Sequence, residues 1–420
     1  MRTTLAAAVT RGVAALSRIA GRGDGSVIGG RVGMMIDPAL LTHLAGGRRM
    51  ALVSGTNGKT TTTRLTAAAL GVLGPVATNS YGANMPAGHT TALARAGDTP
   101  YGVLEVDEHY LGRVLDETGA EVVALLNLSR DQLDRAKEVA MMAQLWRDAL
   151  QGRAITIVAN ADDPLVTFAA AGHPRVTWVG AGQRWYDDSW VCPECGGAIK
   201  RADADGAGEP QIAGGGGAPD ADWRCTGCDL CRPSPQWTIT GDSVVDPTGG
   251  RHQVLLELPG RVNRANAATA LAVAAHFGVS PADALPRLAE VASVAGRYAR
   301  VQRDGRAVRL LLAKNPAGWL EAFDMADDAP TLLAVNARGP DGLDTSWLFD
   351  VDFSPLRGRR VLITGDRAHD LAVRLSVNGV PFEHVPGLRA AVATVPPGQL
   401  EIIANYTAFQ DIRTELNRVT

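Results

Sequence analysis

The chain has 420 residues, of which 46% are hydrophobic and 20% charged, and a formal net charge of −3. That length allows two or three packed domains. The near-neutral balance argues against nucleic-acid binding through a basic surface, and no run reaches the roughly 18–20 apolar residues of a membrane span.

Residues 1–22 are Ala-rich, with Arg2, Arg11, Arg18 and Arg22 spaced through them. The uninterrupted apolar block of a signal peptide is missing. Leu5, Val9, Val13, Leu16 and Ile19 recur at helical spacing. They predict an amphipathic packing helix, with membrane-surface contact as the lesser alternative, in a chain expected to be cytoplasmic.

The apolar run Ala51-Leu52-Val53 then leads into Gly55-Thr56-Asn57-Gly58-Lys59-Thr60-Thr61, and a helix-compatible stretch follows to Leu73. Strand, glycine loop, Lys-Thr and helix is the layout that wraps a nucleotide phosphate tail. Glycines let backbone N–H groups turn inward, and the helix N-terminus adds partial positive charge. Residues 55–61 are therefore the candidate ATP-binding loop. Lys59 is expected to pair with the β- and γ-phosphates, and the Thr60 hydroxyl to ligate Mg²⁺. A generic motif search misses the loop, because Val53 stands where the general pattern has its first glycine.

Residues 48–180 alternate strand-like and helix-like segments. Tyr101–Val106, Val122–Leu128, Ala154–Ala159 and Arg175–Val179 read as buried strands, and Leu111–Glu117 and Glu138–Leu150 as helices. The alternation predicts an α/β fold with a mostly parallel sheet. Glu105 ends one of these strands in Leu104-Glu105-Val106-Asp107-Glu108. It is the candidate carboxylate for the Mg²⁺ at Thr60 and, with Lys59, a candidate catalytic residue.

All five cysteines fall within residues 186–236. Cys192-Pro-Glu-Cys195 and Cys225-Thr-Gly-Cys228 have the spacing of two knuckles of a tetrahedral, structural zinc ribbon. Cys231 leaves open a second pair made of Cys228 and Cys231. Residues 202–222 between the pairs are Gly/Ala/Asp-rich and read as flexible. Beyond this insertion, apolar alternation resumes at Gln253–Leu258, and a long Ala-rich helix is predicted over Asn263–His276.

A second alternation begins near residue 298, with strands expected at Val308–Ala313, Thr331–Asn336, Arg360–Thr364 and Leu400–Ala404. The expected organisation is an ATP-binding unit over 1–297, with a Cys₄ insertion at about 186–236, and a smaller Rossmann-like α/β unit over 298–420. Asp341, Asp344, Asp350 and Asp352 are interleaved there with Trp347, Phe349 and Phe353. Acids held among aromatic rings can orient a His or an ammonium group.

The Gly-Thr-Asn-Gly-Lys-Thr loop resembles that of the Mur ligase family, ATP-dependent enzymes that join amino acids to carboxylates. Asn127-Leu128-Ser129-Arg130-Asp131-Gln132-Leu133-Asp134, Asn160-Ala161-Asp162-Asp163 and Gly260-Arg261-Val262-Asn263-Arg264-Ala265-Asn266-Ala267 resemble further family elements, in the same order. The resemblance implies that Asn263 contacts adenine and that Arg297, in Gly296-Arg297, reaches the nucleotide phosphates. Lys314-Asn315-Pro316 sits where relatives have a similar tripeptide. Gln132 replaces the family's metal-binding His, and Arg147 its carbamylated Lys.

These departures, the Cys₄ insertion and the short segment before the loop narrow the resemblance to ligase subunits that amidate lipid II. That branch implies ATP-dependent conversion of the D-glutamate α-carboxylate to D-isoglutamine, with ammonia from a separate glutaminase subunit. Within it, an Asp completes the partner's Cys-His site; Asp350 is the first candidate and Asp352 the second. The competing expectations are a stand-alone amino-acid ligase and a nucleic-acid-dependent ATPase. Gln132, Arg147 and the zinc insertion oppose the first, and the charge balance opposes the second.

Overall fold

The computed structural model describes residues 1–21, 24–79, 83–130, 139–201, 222–292, 298–303, 305–339 and 343–417. Gln132, Arg297, Asp341 and most of the Gly/Ala/Asp-rich stretch lie outside them.

The first sheet begins with β1 (Arg49–Ser54), β2 (Val76–Thr78), β3 (Tyr101–Glu105), β4 (Val122–Leu125), β5 (Thr156–Asn160) and β6 (Val176–Gly180). Their short continuous apolar runs suit strands covered on both faces. All pair in parallel, in the order β6-β5-β4-β1-β3-β2. The insertion contributes a hairpin of its own, β7 (Ile199–Arg201) with β8 (Trp223–Cys225). The chain then rejoins the sheet through β9 (Trp237–Thr240), parallel to β6, and adds β10 (Ser243–Val245) and β11 (Arg251–Gln253) antiparallel. The alternation expected over Gln253–Leu258 is strand only at its first residue. The chain leaves the sheet there to enter the Arg261–His276 helix.

Helices fill both faces. Lys59–Leu70 and Arg261–His276 pack together on one, with Leu65, Leu70, Ala267 and Leu271 among the buried contacts. Leu111–Thr118, Val139–Leu150 and Pro164–Ala170 cover the other, around the fully buried Trp146. Each large apolar side chain buried in this way contributes about 1.5–3 kcal/mol before the entropy of ordering is counted.

A second sheet uses β12 (Tyr298–Arg303), β13 (Arg306–Leu312), β14 (Thr331–Ala334), β15 (Val361–Thr364), β16 (Phe382–His384) and β17 (Gly398–Ala404). Its order is β12-β13-β17-β14-β15-β16, parallel except for the β12–β13 hairpin. Trp319, Phe323, Trp347 and Phe353 stack edge-on or tilted in its core, with centroid separations of 5.8–6.2 Å.

The N-terminal helix, Arg2–Ile19, buries a different stripe from the expected one. Leu5, Leu16 and Ile19 are exposed, and the buried residues are Ala6, Ala7, Thr10 and Ala14. Small side chains win the packed face because the helix lies close against Ser26–Ile36.

Candidate active site

The strand order reverses at β1, which lies between β4 and β3. Ligands collect in the crevice outside such a switch point, at the carboxyl ends of the strands. The Gly55–Gly58 loop follows β1 there, and Lys59 opens the next helix. Gly58 has φ +83°, and a Cβ on it would stand 2.7 Å from Asn266 Oδ1, so the turn and its neighbour both require glycine.

The loop is held by side chains on neighbouring segments. Thr56 N–H donates to the Asn127 carbonyl (2.9 Å), Asn57 N–H to Asn127 Oδ1 (2.8 Å), and Asn127 Nδ2 returns a bond to the Asn57 carbonyl (3.1 Å). Thr56 Oγ1 and the main chain of Ser129 bond reciprocally, at 3.1 and 3.0 Å. Across the loop, Thr62 Oγ1 donates to Asn266 Oδ1 at 3.1 Å. From the second sheet's side, Asn315 accepts from Asn57 Nδ2 at 3.3 Å while capping the Pro316–Met325 helix through Gly318 N–H at 2.8 Å. Both sheets therefore face one crevice.

Lys59 is buried, and its ammonium donates to the carbonyls of Gly55 and Thr56 and to Glu108 Oε1 at 2.9 Å. Thr60 Oγ1 donates to Glu105 Oε2 at 2.8 Å. Two buried oxygens thus converge where a hard cation needs them. The Glu105 main chain is itself bracketed. Its N–H donates to Asn79 Oδ1 and its carbonyl accepts from Asn79 Nδ2, both at 2.8 Å, and His89 Nε2 lies 2.8 Å from the same carbonyl. Burial pushes the His89 imidazole down to about 4, so it stays neutral at pH 7 and Nε2 carries the proton. Asp107 caps the Glu108–Tyr110 turn through His109 N–H.

Asn263 turns its amide to the Pro259 carbonyl at 2.6 Å and accepts from Asn266 Nδ2 at 3.3 Å. Beside it, Asn127, Asn160, Gln183, Arg261, Asn266 and Glu321 line a small cavity. Burial and the nearby Asp324 raise the Glu321 carboxyl to about 7, against the pull of Arg261 and Arg184. Asp163 is consumed structurally, accepting from Leu128, Leu165 and Val166 N–H and so tying two loops together.

Arg147 stands over the Phe168 ring at 4.4 Å and pairs with Glu194 of the first cysteine knuckle, so in this structure it binds the insertion to the first sheet. Cys192, Cys195, Cys225 and Cys228 bring four sulfurs within 4.8 Å of one another, at separations such as 3.4 and 3.7 Å that exclude disulfides. Gly197 and Gly227 N–H donate to Cys195 and Cys225 Sγ. Burial holds the Cys192 thiol up at about 12, while the Gly227 N–H brings Cys225 down to about 7. Four sulfurs so placed, two already carrying amide donors, fit a tetrahedral thiophilic metal. Cys231 is exposed and outside this four-sulfur cluster, paired in the backbone with Arg224.

Asp350 ends the Ser346–Asp350 turn and is partly exposed, with Oδ2 at 3.3 Å from Arg130 Nη2. Arg130, which also pairs with Asp188, directly follows Ser129 of the loop-bracketing segment. Asp352 instead accepts from Ser354 N–H (2.9 Å) and Oγ (2.7 Å), the arrangement of a local turn cap. Glu108, Asn79, His89 and Asn315 were not singled out from the sequence as site residues. Only Glu108 and Asn315 lay within motifs that could have flagged them.

Comparison with known proteins matches this arrangement. The family models described as Mur ligase middle domain and MurT ligase C-terminal match residues 53–187 and 312–409. The Streptococcus pneumoniae protein named lipid II isoglutaminyl synthase (glutamine-hydrolyzing) subunit MurT is 30% identical over 95% of this chain and 93% of its own length. The Staphylococcus aureus protein of the same name is 27% identical, over 96% and 95%. Among solved structures, a pseudomurein peptide ligase type C from Methanothermus fervidus aligns with TM-score 0.65 at 16% identity, covering 89% of this chain and 79% of that one. Folylpolyglutamate synthase from Mycobacterium tuberculosis, solved with ADP, aligns at 0.56 and 16%, covering 90% and 92%. With the Mur-type sheet, the phosphate loop and both family matches in one chain, this protein belongs to the MurT family of Mur ligases.

Proposed function

We propose that this chain is the ligase subunit of a two-component enzyme that amidates the D-glutamate α-carboxylate of lipid II to D-isoglutamine. ATP transfers its γ-phosphoryl group to the carboxylate, because a free carboxylate is a poor electrophile. Ammonia from a GatD-like glutaminase partner then attacks the acyl phosphate. The new C–N bond replaces the C–O bond to phosphate, phosphate leaves, and the nitrogen loses a proton. Residues 55–61 hold the triphosphate, Lys59 exchanging Glu108 for phosphate oxygens, while Asn263 and Arg297 reach the adenine and the phosphates.

The observation that carries this reading is the Arg130–Asp350 contact at 3.3 Å. It joins the segment that brackets the phosphate loop to the acid proposed to complete the partner's Cys-His site. Asp350 takes that role rather than Asp352, whose oxygens are committed to Ser354. Thr60 and Glu105 are the residues that would hold Mg²⁺, which neutralises phosphate charge when bound. The four cysteines would hold a structural Zn²⁺, leaving no open position for catalysis. In this reading the ATP-binding unit spans residues 1–297 and the C-terminal unit 298–420, and the enzyme works at the inner face of the plasma membrane.

The test is mass spectrometry of lipid II incubated with the protein, ATP and Mg²⁺, with either ammonium or glutamine plus the co-expressed glutaminase. A loss of about one mass unit, the exchange of hydroxyl for amide, is expected with ammonium, and with glutamine only when the partner is present. ATP hydrolysis with no mass shift from either nitrogen source would move the assignment to an amino-acid ligase acting on another carboxylate.

A further inference from the structure

The Arg2–Ile19 and Ser26–Ile36 helices are packed inside out. Their buried positions are Ala6, Ala7, Thr10 and Ala14 on the first and Ser26, Gly29, Gly30 and Gly33 on the second. The fit is close, since a Cβ on Gly30 would lie 1.8 Å from the Ala87 carbonyl oxygen, and one on Gly33 1.9 Å from Thr10 Oγ1. The large apolar side chains are left outside: Leu5 is 58% exposed, Leu16 66%, Ile19 83%, Ile28 52% and Met35 82%. At about 100° per residue, Leu5, Leu16 and Ile19 fall within about 60° of one another, opposite the small stripe. Val27, Ile28, Arg31 and Met35 are exposed on the side of the second helix opposite its glycines, and so face away from the first helix.

The charge on these helices has one sign. Arg2, Arg11, Arg18 and Arg31 are exposed, and neither helix contains an acid. Arg2 Nε donates to the Ile36 carbonyl and Arg11 Nη1 to the Ala94 carbonyl, contacts with neutral acceptors. The whole chain, by contrast, carries a net charge of −3. An apolar face flanked by exposed arginines suits the headgroup boundary of an anionic bilayer. Neither helix is long and apolar enough to cross a membrane. A cavity of about 250 Å³ lined by Ser26, Thr78, Asn79 and Arg95 lies at the inner edge of this pair, and Asn79 also brackets Glu105. We propose that the outward face of the Arg2–Ile19 helix is a membrane-docking surface for anionic phospholipid, with Leu5, Leu16 and Ile19 at the acyl boundary and Arg2, Arg11 and Arg18 at lipid phosphates.

This inference rests on the surface and not on the proposed reaction, so its test omits the lipid substrate. The full chain is sedimented with vesicles of phosphatidylcholine alone or mixed with phosphatidylglycerol. Binding to the mixed vesicles, weakened by salt, is expected. The Leu16→Asp/Ile19→Asp double variant should bind at least about tenfold more weakly, with unchanged melting temperature and ATP hydrolysis. Arg11→Glu/Arg18→Glu should lose the preference for phosphatidylglycerol. Equal partitioning onto both vesicle types, or undiminished binding by the Asp variant, would overturn the proposal. A wild-type dimer in solution that the Asp variant converts to monomer would also overturn it and assign the face to a second copy of the chain.

Discussion

Lys59 is locked to Glu108, and the sharpest prediction concerns that lock. The two charges are 2.9 Å apart, with side-chain exposures of 4% and 13%. At an effective dielectric constant of about 20, such a pair attracts with roughly 6 kcal/mol before desolvation is counted. The net value of a hydrogen bond to a charged group is about 1.5–3 kcal/mol, and that of a neutral one about 0.5–1.5. Glu108→Gln keeps an acceptor in place but removes the charge, so the contact that a phosphate must displace weakens by about 1–2 kcal/mol. Mg-ADP should then bind about 5- to 30-fold more tightly to Glu108→Gln than to the wild type, as read by calorimetry. ADP titrated without Mg²⁺ should show the same gain. Unchanged or weaker ADP binding in both titrations would refute the competition. A gain that vanished only when Mg²⁺ was present would place Glu108 among the metal's partners.

Four further outcomes are expected. Lys59→Ala should lower ATP turnover by at least about 100-fold while the melting temperature of the partner complex stays within a few degrees. Cys225→Ser should remove bound zinc, measured by mass spectrometry of the metal, and lower the melting temperature, whereas Cys231→Ser should change neither, because its sulfur lies outside the cluster. Asp350→Asn should abolish glutamine-dependent amidation yet spare the ammonium-dependent reaction, and Asp352→Asn should cost stability through its Ser354 cap instead. Normal amidation from glutamine by the Asp350 variant would remove that residue from the partner's site. The Glu321 carboxyl, raised to about 7 from its ordinary 4.5, contributes stability that is fully present below the lower value and lost as pH rises through the upper one. Melting curves should therefore show Glu321→Gln gaining on the wild type above neutrality and matching it near pH 4.5.

Local chemistry alone determines much of this protein. A phosphate loop is a contiguous device of strand, glycine turn and helix, so adjacency in the chain is adjacency in space, and residues 55–61 were legible together. The same holds for each Cys-x-x-Cys knuckle, and the continuous apolar runs were enough to announce parallel strands. The Thr60–Glu105 contact was also within reach, because a parallel β1–β3 pair brings both strand ends to one edge.

Tertiary structure alone decided the rest. Which acid meets Lys59 depends on how the turn after β3 folds against the helix after β1, and that Asn315 closes on Asn57 across 258 residues of chain depends on how the two sheets face each other. Asp350 and Asp352 are equivalent in a linear reading. Only the turn geometry gives one to Ser354 and leaves the other facing Arg130. The N-terminal helix makes the point most sharply. Hydrophobic periodicity identified the helix and marked its large apolar stripe as the buried one, but periodicity carries no information about how near the neighbouring backbone lies. Close approach of the Gly-rich Ser26–Ile36 helix leaves room only for Ala and Thr, and it turns Leu5, Leu16 and Ile19 outward.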